Sequence, residues 1–155
     1  SNYDGYKLDW YIGWFLDINF SRYSKINEYI NNSDDYIGSI GNSFYYYNGY
    51  LVIEIYALTS LCDDFENIVI STANGISDDD RELFELVKKN SLTSLSVRKD
   101  SISNYVRPIE DNYITFDYAE VDDIDVIKNF SYDDYKKVIN SIDFSYYSVF
   151  YRKKK

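Results

Sequence analysis

The apolar positions of this chain change period along its length, and each period names a kind of element. Trp10, Tyr11, Trp14, Phe15 and Ile18 recur at three- and four-residue spacing, which predicts a helix although aromatic and β-branched side chains crowd the stretch. Arg22 to Asn31 continues the helical pattern. Ser21 is placed as its N-cap, Tyr23, Ile26, Tyr29 and Ile30 lie on one face, and Asn31-Asn32-Ser33-Asp34 form a stop. Between Ser43 and Leu58, two runs of aromatic and β-branched residues flank Asn48-Gly49. Both turn residues tolerate positive φ, so Phe44 to Tyr47 and Tyr50 to Ala57 are predicted to pair as a tight antiparallel hairpin. Glu54 is its only charged residue and is expected to face solvent.

Further along, Asn67 to Thr72 reads as a strand closed by Asn74-Gly75. Ser77, three aspartates and Glu82 then open a helix whose apolar stripe is Leu83, Phe84, Leu86 and Val87 and whose end is Lys88-Lys89. Acids at the start and bases at the end both favour the helix dipole. Leu92 to Val97 reads as a weak strand, and Pro108 is expected to end whatever Asn104 to Arg107 forms. Tyr113 to Ala119 alternates like a strand. Ser131 to Ser141 resembles a capped helix with Tyr132, Tyr135, Val138 and Ile139 on one face, and Phe144 to Tyr151 reads as a final strand.

The predicted class is α+β with a mainly antiparallel sheet. Its hairpin covers about 43–58, its other strands about 67–72, 113–119 and 144–151, and its helices about 10–31, 78–89 and 132–141. A chain of 155 residues without a Pro- or Gly-rich linker or an internal repeat is expected to form one domain over 1–151, followed by a basic tail at 152–155. There is no uncharged apolar run long enough for a membrane span and no signal-type segment at the start. With one cysteine, Cys62, no internal disulfide forms, and a cytoplasmic location is expected.

Composition narrows the chemistry. The chain has no histidine and no methionine but 19 tyrosines, and its net charge is -10. Without histidine, the usual near-neutral proton carrier and commonest metal ligand is missing, and a Ser-His or Cys-His nucleophile is excluded. No nucleophile-elbow or phosphate-loop motif is present. Tyrosine shares AT-rich codons with Asn, Ile, Phe, Lys and Asp, so codon bias and function are both open as sources of its excess; that bias would raise Lys as readily as Asp, yet acids outnumber bases 26 to 16. From Asp34 to Glu85 eleven acids face one base, Arg81, and from Glu110 to Asp134 nine acids face Lys128 alone. Such a field repels nucleic acid and anionic membranes and attracts basic proteins.

Three constellations compete for a role. Paired carboxylates from Asp63, Asp64, Asp117 or Glu120 suffice in principle for glycoside hydrolysis, and Asp122, Asp123 and Asp125 are hard oxygen donors of the calcium type. The second lacks the glycine and the closing glutamate of an EF-hand loop, so no metal and no cofactor is expected. Cys62, beside Asp63, is read as a small buried hydrophobe, and Trp10 and Trp14 as core. The third constellation is a binding face. Tyrosine offers a stiff contact area with a polar end, and carboxylates pair bidentately with arginine. Its expected residues are Asp63, Asp64 and Glu66 in the turn after Cys62, with Asp117, Tyr118, Glu120, Asp122, Asp123 and Asp125.

In size, acidity, α+β pattern and lack of catalytic motifs, the whole chain resembles the immunity proteins of bacterial contact-dependent inhibition and related polymorphic toxin systems. That resemblance implies a non-enzymatic cytoplasmic inhibitor of a cognate basic toxin domain, commonly a nuclease, in which the Asp63 and Asp117 segments imitate phosphate. Two rivals are a nucleic-acid mimic that inhibits a DNA-binding protein and a carboxylate-only enzyme acting on glycans. The oligomeric state is left open.

Overall fold

In the computed structural model, residues 3–21, 24–26, 37–59, 62–74, 76, 78–98, 102–117 and 123–150 are described. Six α-helices and one antiparallel strand pair make up their regular structure, an α+β fold in which helix predominates. The elements in order are α1 (Tyr3–Phe20), β1 (Ile37–Tyr47), β2 (Tyr50–Thr59), α2 (Cys62–Asn74), a 3-10 turn (Asp78–Asp80), α3 (Arg81–Arg98), α4 (Ile102–Phe116), α5 (Asp123–Lys128) and α6 (Tyr132–Asn140). They fall into two compact units. One comprises Ser1–Trp14 and Asp79–Ile139, the other Phe15–Asp78 and Asn140–Lys155.

The first unit is organised around aromatic rings. Tyr11 and Trp14 of α1, Phe84 of α3, Phe130, and Tyr132 and Tyr135 of α6 are all buried. Phe84 meets Trp14 at 5.3 Å, Tyr132 at 5.5 Å and Tyr135 at 5.1 Å between ring centroids, while Tyr11 meets Phe130 at 5.2 Å and Tyr135 at 5.6 Å. Most of these pairs are edge-to-face, the arrangement the ring quadrupole favours. The buried indole N–H of Trp14 donates to Ser91 Oγ at 2.9 Å, so burying that tryptophan leaves no orphan donor. Ser131 caps α6 by accepting the Asp134 amide at 3.2 Å. Lys88 Nζ donates to the carbonyls of Lys128 and Phe130, a cation at the C-terminal end of α5.

In the second unit, Asn48 and Gly49 take φ values of 50° and 82°, and β1 and β2 pair around them with Tyr47 opposite Tyr50 and Ser43 opposite Glu54. This is the hairpin read from Asn-Gly, extended to Ile37 and Thr59. The last turn of α1 packs Phe15 against Phe20 and stacks it on Phe144 at 5.4 Å, and Asn42 of β1 donates to the Phe20 carbonyl.

Four expected strands are not strands. Asn67 to Thr72 lies within α2. Phe65, Ile68, Val69, Thr72 and Ala73 are buried or half-buried, with Glu66 and Ile70 half-buried beside them, a helical stripe that the β-branched run Ile68-Val69-Ile70 disguised. Tyr113 to Phe116 completes α4, which passes through Pro108 instead of ending there, with Asn112 and Phe116 half-buried at four-residue spacing. Phe144 to Phe150 forms no strand; Asp143 accepts the Ser145 amide at 2.9 Å, and Tyr146 and Phe150 are exposed. Leu92 to Val97 is helical as well. The hydroxyls of Thr93 and Ser96 bond back to carbonyls four residues earlier, and Leu95 is buried, so α3 runs to Arg98 instead of stopping at Lys89.

At the N-terminus, helix begins seven residues before Trp10, and α1 ends at Phe20. The Ser21 side chain does not act as an N-cap: its hydroxyl donates to the Asp17 carbonyl at the end of α1, while Lys25 and Ile26 further on are helical. The expected helix over 22–31 lies largely outside the described residues, as do Ser77 and the tail 152–155. α1 is buried on nearly all sides, which is why its pattern read as undecided between helix and strand.

Candidate functional site

The acids expected to form a binding face have separate local settings. Asp63 and Asp64 sit in the first turn of α2, not in a free turn, where negative charge complements the helix dipole. Their side chains, with those of Cys62 and Asp123, are outside the described residues, as are Tyr118, Glu120 and Asp122 altogether. Glu66, half-buried on α2, accepts a hydrogen bond from the Tyr147 hydroxyl, and this bond with its charge holds the phenol above its ordinary pKa. These three acids belong to the second unit.

Asp117, Asp123 and Asp125 belong to the first unit. Asp117 follows α4 with φ of 50°, and its amide donates to the Tyr113 carbonyl at 2.9 Å. That is a left-handed helix cap, a conformation aspartate tolerates better than most residues, so the exposed Asp117 has a structural task of its own. Asp123 opens α5. Asp125 pairs with Lys128 one helical turn later at 2.9 Å, leaving its charge partly compensated at the surface. Among the described residues, no group of three or more His, Cys, Asp or Glu is placed to hold a metal ion.

The most distinctive surface in the described residues is one the acid clusters did not indicate. The hairpin register places Gly41, Ser43, Tyr45 and Tyr47 of β1 on the same face as Tyr56, Glu54, Val52 and Tyr50 of β2. On that face Tyr45, Tyr47, Tyr50, Tyr56 and Leu58 are exposed by 45%, 65%, 74%, 61% and 68%. The opposite face of β2 (Leu51, Ile53, Ile55, Ala57, Thr59) is half-buried, although Tyr46 of β1 on that side is 46% exposed, so the sheet has one partly covered side and one aromatic side open to solvent.

Glu54 stands in the middle of the open side. Its Oε2 accepts from Ser43 Oγ and its Oε1 from the Tyr45 hydroxyl, each at 3.2 Å, so both oxygens are held by β1. The charge of Glu54 and this hydrogen bond keep the Tyr45 phenol above its ordinary pKa, the field of the charge being the larger cause. Tyr56 lies across the strand over Gly41, in the space a Cβ at that position would occupy. Glycine there is what lets the ring cover the neighbouring strand. The signal for this face was present in the sequence. Once Asn48-Gly49 sets a two-residue turn, residues whose numbers sum to 97 pair, and the odd-numbered β1 residues share a side with the even-numbered β2 residues.

No helix of the described residues is long and apolar enough to cross a membrane. No protein-family profile, no curated protein and no solved structure matches the chain.

Proposed function

We propose that this chain is an immunity-type inhibitor that binds a basic protein partner, a cognate toxin domain, and neutralises it in the cytoplasm without catalysing a reaction. The observation that carries the reading is the open hairpin face of Tyr45, Tyr47, Tyr50 and Tyr56 around Glu54, on a chain of net charge -10. Monomeric surfaces seldom leave this much contiguous aromatic area in water without a use, and tyrosine is enriched where protein interfaces gain their affinity. The net charge adds long-range steering toward a cationic partner, which speeds encounter and makes it salt-sensitive. In this reading the acids Asp63, Asp64 and Glu66 of the second unit, and Asp117, Glu120, Asp122, Asp123 and Asp125 with Tyr118 of the first, contribute to partner binding.

The test is co-expression with the basic protein encoded beside this gene, reading growth protection and co-elution. A one-to-one complex that weakens with rising salt, and whose loss in a variant carrying Asp63→Asn, Asp64→Asn, Asp122→Asn and Asp123→Asn restores toxicity, supports the reading. Absence of both complex and protection at low salt refutes it. Indiscriminate retention of many nucleic-acid-binding proteins assigns the chain to the mimic class instead.

A further inference from the structure

We propose that Glu54, with Tyr45 and Tyr56 beside it, is the seat for an arginine side chain presented by the partner, and that this seat rather than bulk acidity sets which basic protein is accepted. The inference rests on the binding reading above and assigns its specificity element.

The argument is one of donors and acceptors. A carboxylate offers about four lone-pair sites. In Glu54 one site on each oxygen is taken by a hydroxyl of β1, and both bonds come from the same strand. What is left is one acceptor on each oxygen of a group already held in orientation, which is the pattern a planar guanidinium fork meets with two parallel N–H donors. A lysine ammonium, a point donor, fills only part of it. Tyr45 lies diagonally across from Glu54 and Tyr56 two residues along the same strand face, both exposed, so aromatic rings adjoin the carboxylate where a guanidinium can stack.

Charge complementarity then selects the occupant. Residues 37–59 contain no Lys or Arg, and among the described residues Glu54 has no cationic partner. The field at this face is therefore uncompensated among the described residues. Carboxylates that already have a partner, such as Asp133 with Arg81 and Asp125 with Lys128, lack that property.

The experiment is an amide NMR titration of the full chain with an acetylated, amidated five-residue peptide carrying a central arginine between threonines and glycines, set against its lysine twin. The expected result is saturable shifts confined to the amides of Ser43 to Tyr47 and Tyr50 to Ala57. Affinity for the lysine peptide is expected to be at least about three-fold lower, and E54Q is expected to lose at least about five-fold. Tyr56→Ser loses part of the affinity, and Glu85→Gln, at an exposed acid outside the proposed binding residues, changes nothing. Equal response to both peptides, shifts spread over the acidic helices, or an unchanged E54Q overturns the proposal.

Concentration-dependent self-association that E54Q abolishes also overturns it, assigning the face to a second copy. The toxin assay separates the two levels. If the wild-type complex forms and survives E54Q and Tyr56→Ser undiminished, the inhibitor reading stands and the arginine seat falls. If the wild type binds no basic partner, the inhibitor reading falls, and the peptide titration still decides whether the seat accepts arginine.

Discussion

Phe84→Ala tests whether the first unit depends on its ring cluster. Phe84 is fully buried and touches Trp14, Tyr132 and Tyr135 through their rings, so truncation removes a large side chain from the centre of a set of edge-to-face contacts. Phenylalanine-to-alanine changes in cores cost about 3–5 kcal/mol, combining lost transfer energy with the cavity left behind. Three ring partners cannot all move inward to fill one void, so the upper part of that range is expected. At about 2–4 °C per kcal/mol for a chain of this size, the thermal midpoint falls by roughly 10 °C or more. Phe84→Leu keeps most of the volume but loses the quadrupole contacts, each of which is worth about 0.5–1.5 kcal/mol, and should cost clearly less than the alanine change. Urea unfolding followed by tryptophan fluorescence measures both, with Trp14 as a reporter in the cluster. A Phe84→Ala loss below about 1 kcal/mol, or equal losses for alanine and leucine, refutes the claim that this ring holds the unit together.

Gly49→Ala places a Cβ on a residue with φ of 82°, and it should destabilise the chain by about 1–2 kcal/mol in chemical denaturation. Gly41→Ala should behave differently. The atoms nearest the new methyl all belong to the Tyr56 ring, an exposed group that can swing outward, so stability should stay within about 1 kcal/mol while Tyr56 and Gly41 neighbours shift in NMR spectra. Asp134 has its pKa lowered, first by the hydrogen bond from Lys7 at 2.9 Å; partial burial opposes this, and the hydrogen bond from Tyr11 and the charges of Lys7 and Lys137 add to the lowering. A carboxylate with a depressed folded pKa adds stability that is fully present above the unfolded value of about 4 and is lost as pH falls through the folded one. The difference in thermal midpoint between wild type and Asp134→Asn should thus be constant above about pH 5 and close to zero near pH 2; a difference independent of pH contradicts the assignment.

The hairpin and the last helix were legible because each rests on local rules. Asn48-Gly49 permits a turn that most other pairs do not, and Ser131 with Tyr132, Tyr135 and Ile139 states both a cap and a buried stripe within one short segment. The stretches 67–72 and 113–116 misled for one physical reason. Ile, Val, Thr and Tyr carry β propensity, but that propensity measures how well a side chain fits a half-buried pleated surface, and no such surface is offered to these stretches.

The acidic candidates show the same division. Composition alone set the sign and size of the field, because charge adds without regard to fold. Whether a given carboxylate caps a helix as Asp117 does, pairs as Asp125 does, or stands open among tyrosines as Glu54 does depends on which backbone and side-chain donors are brought within about 3 Å of it. Sequence determined that this protein is acidic, tyrosine-rich, without histidine, and able to turn a hairpin at Asn48-Gly49. Tertiary structure decided which tyrosines stay in water and which pack with Trp14 and Phe84, because burial is settled by what covers a face, and only distant parts of the chain supply that cover.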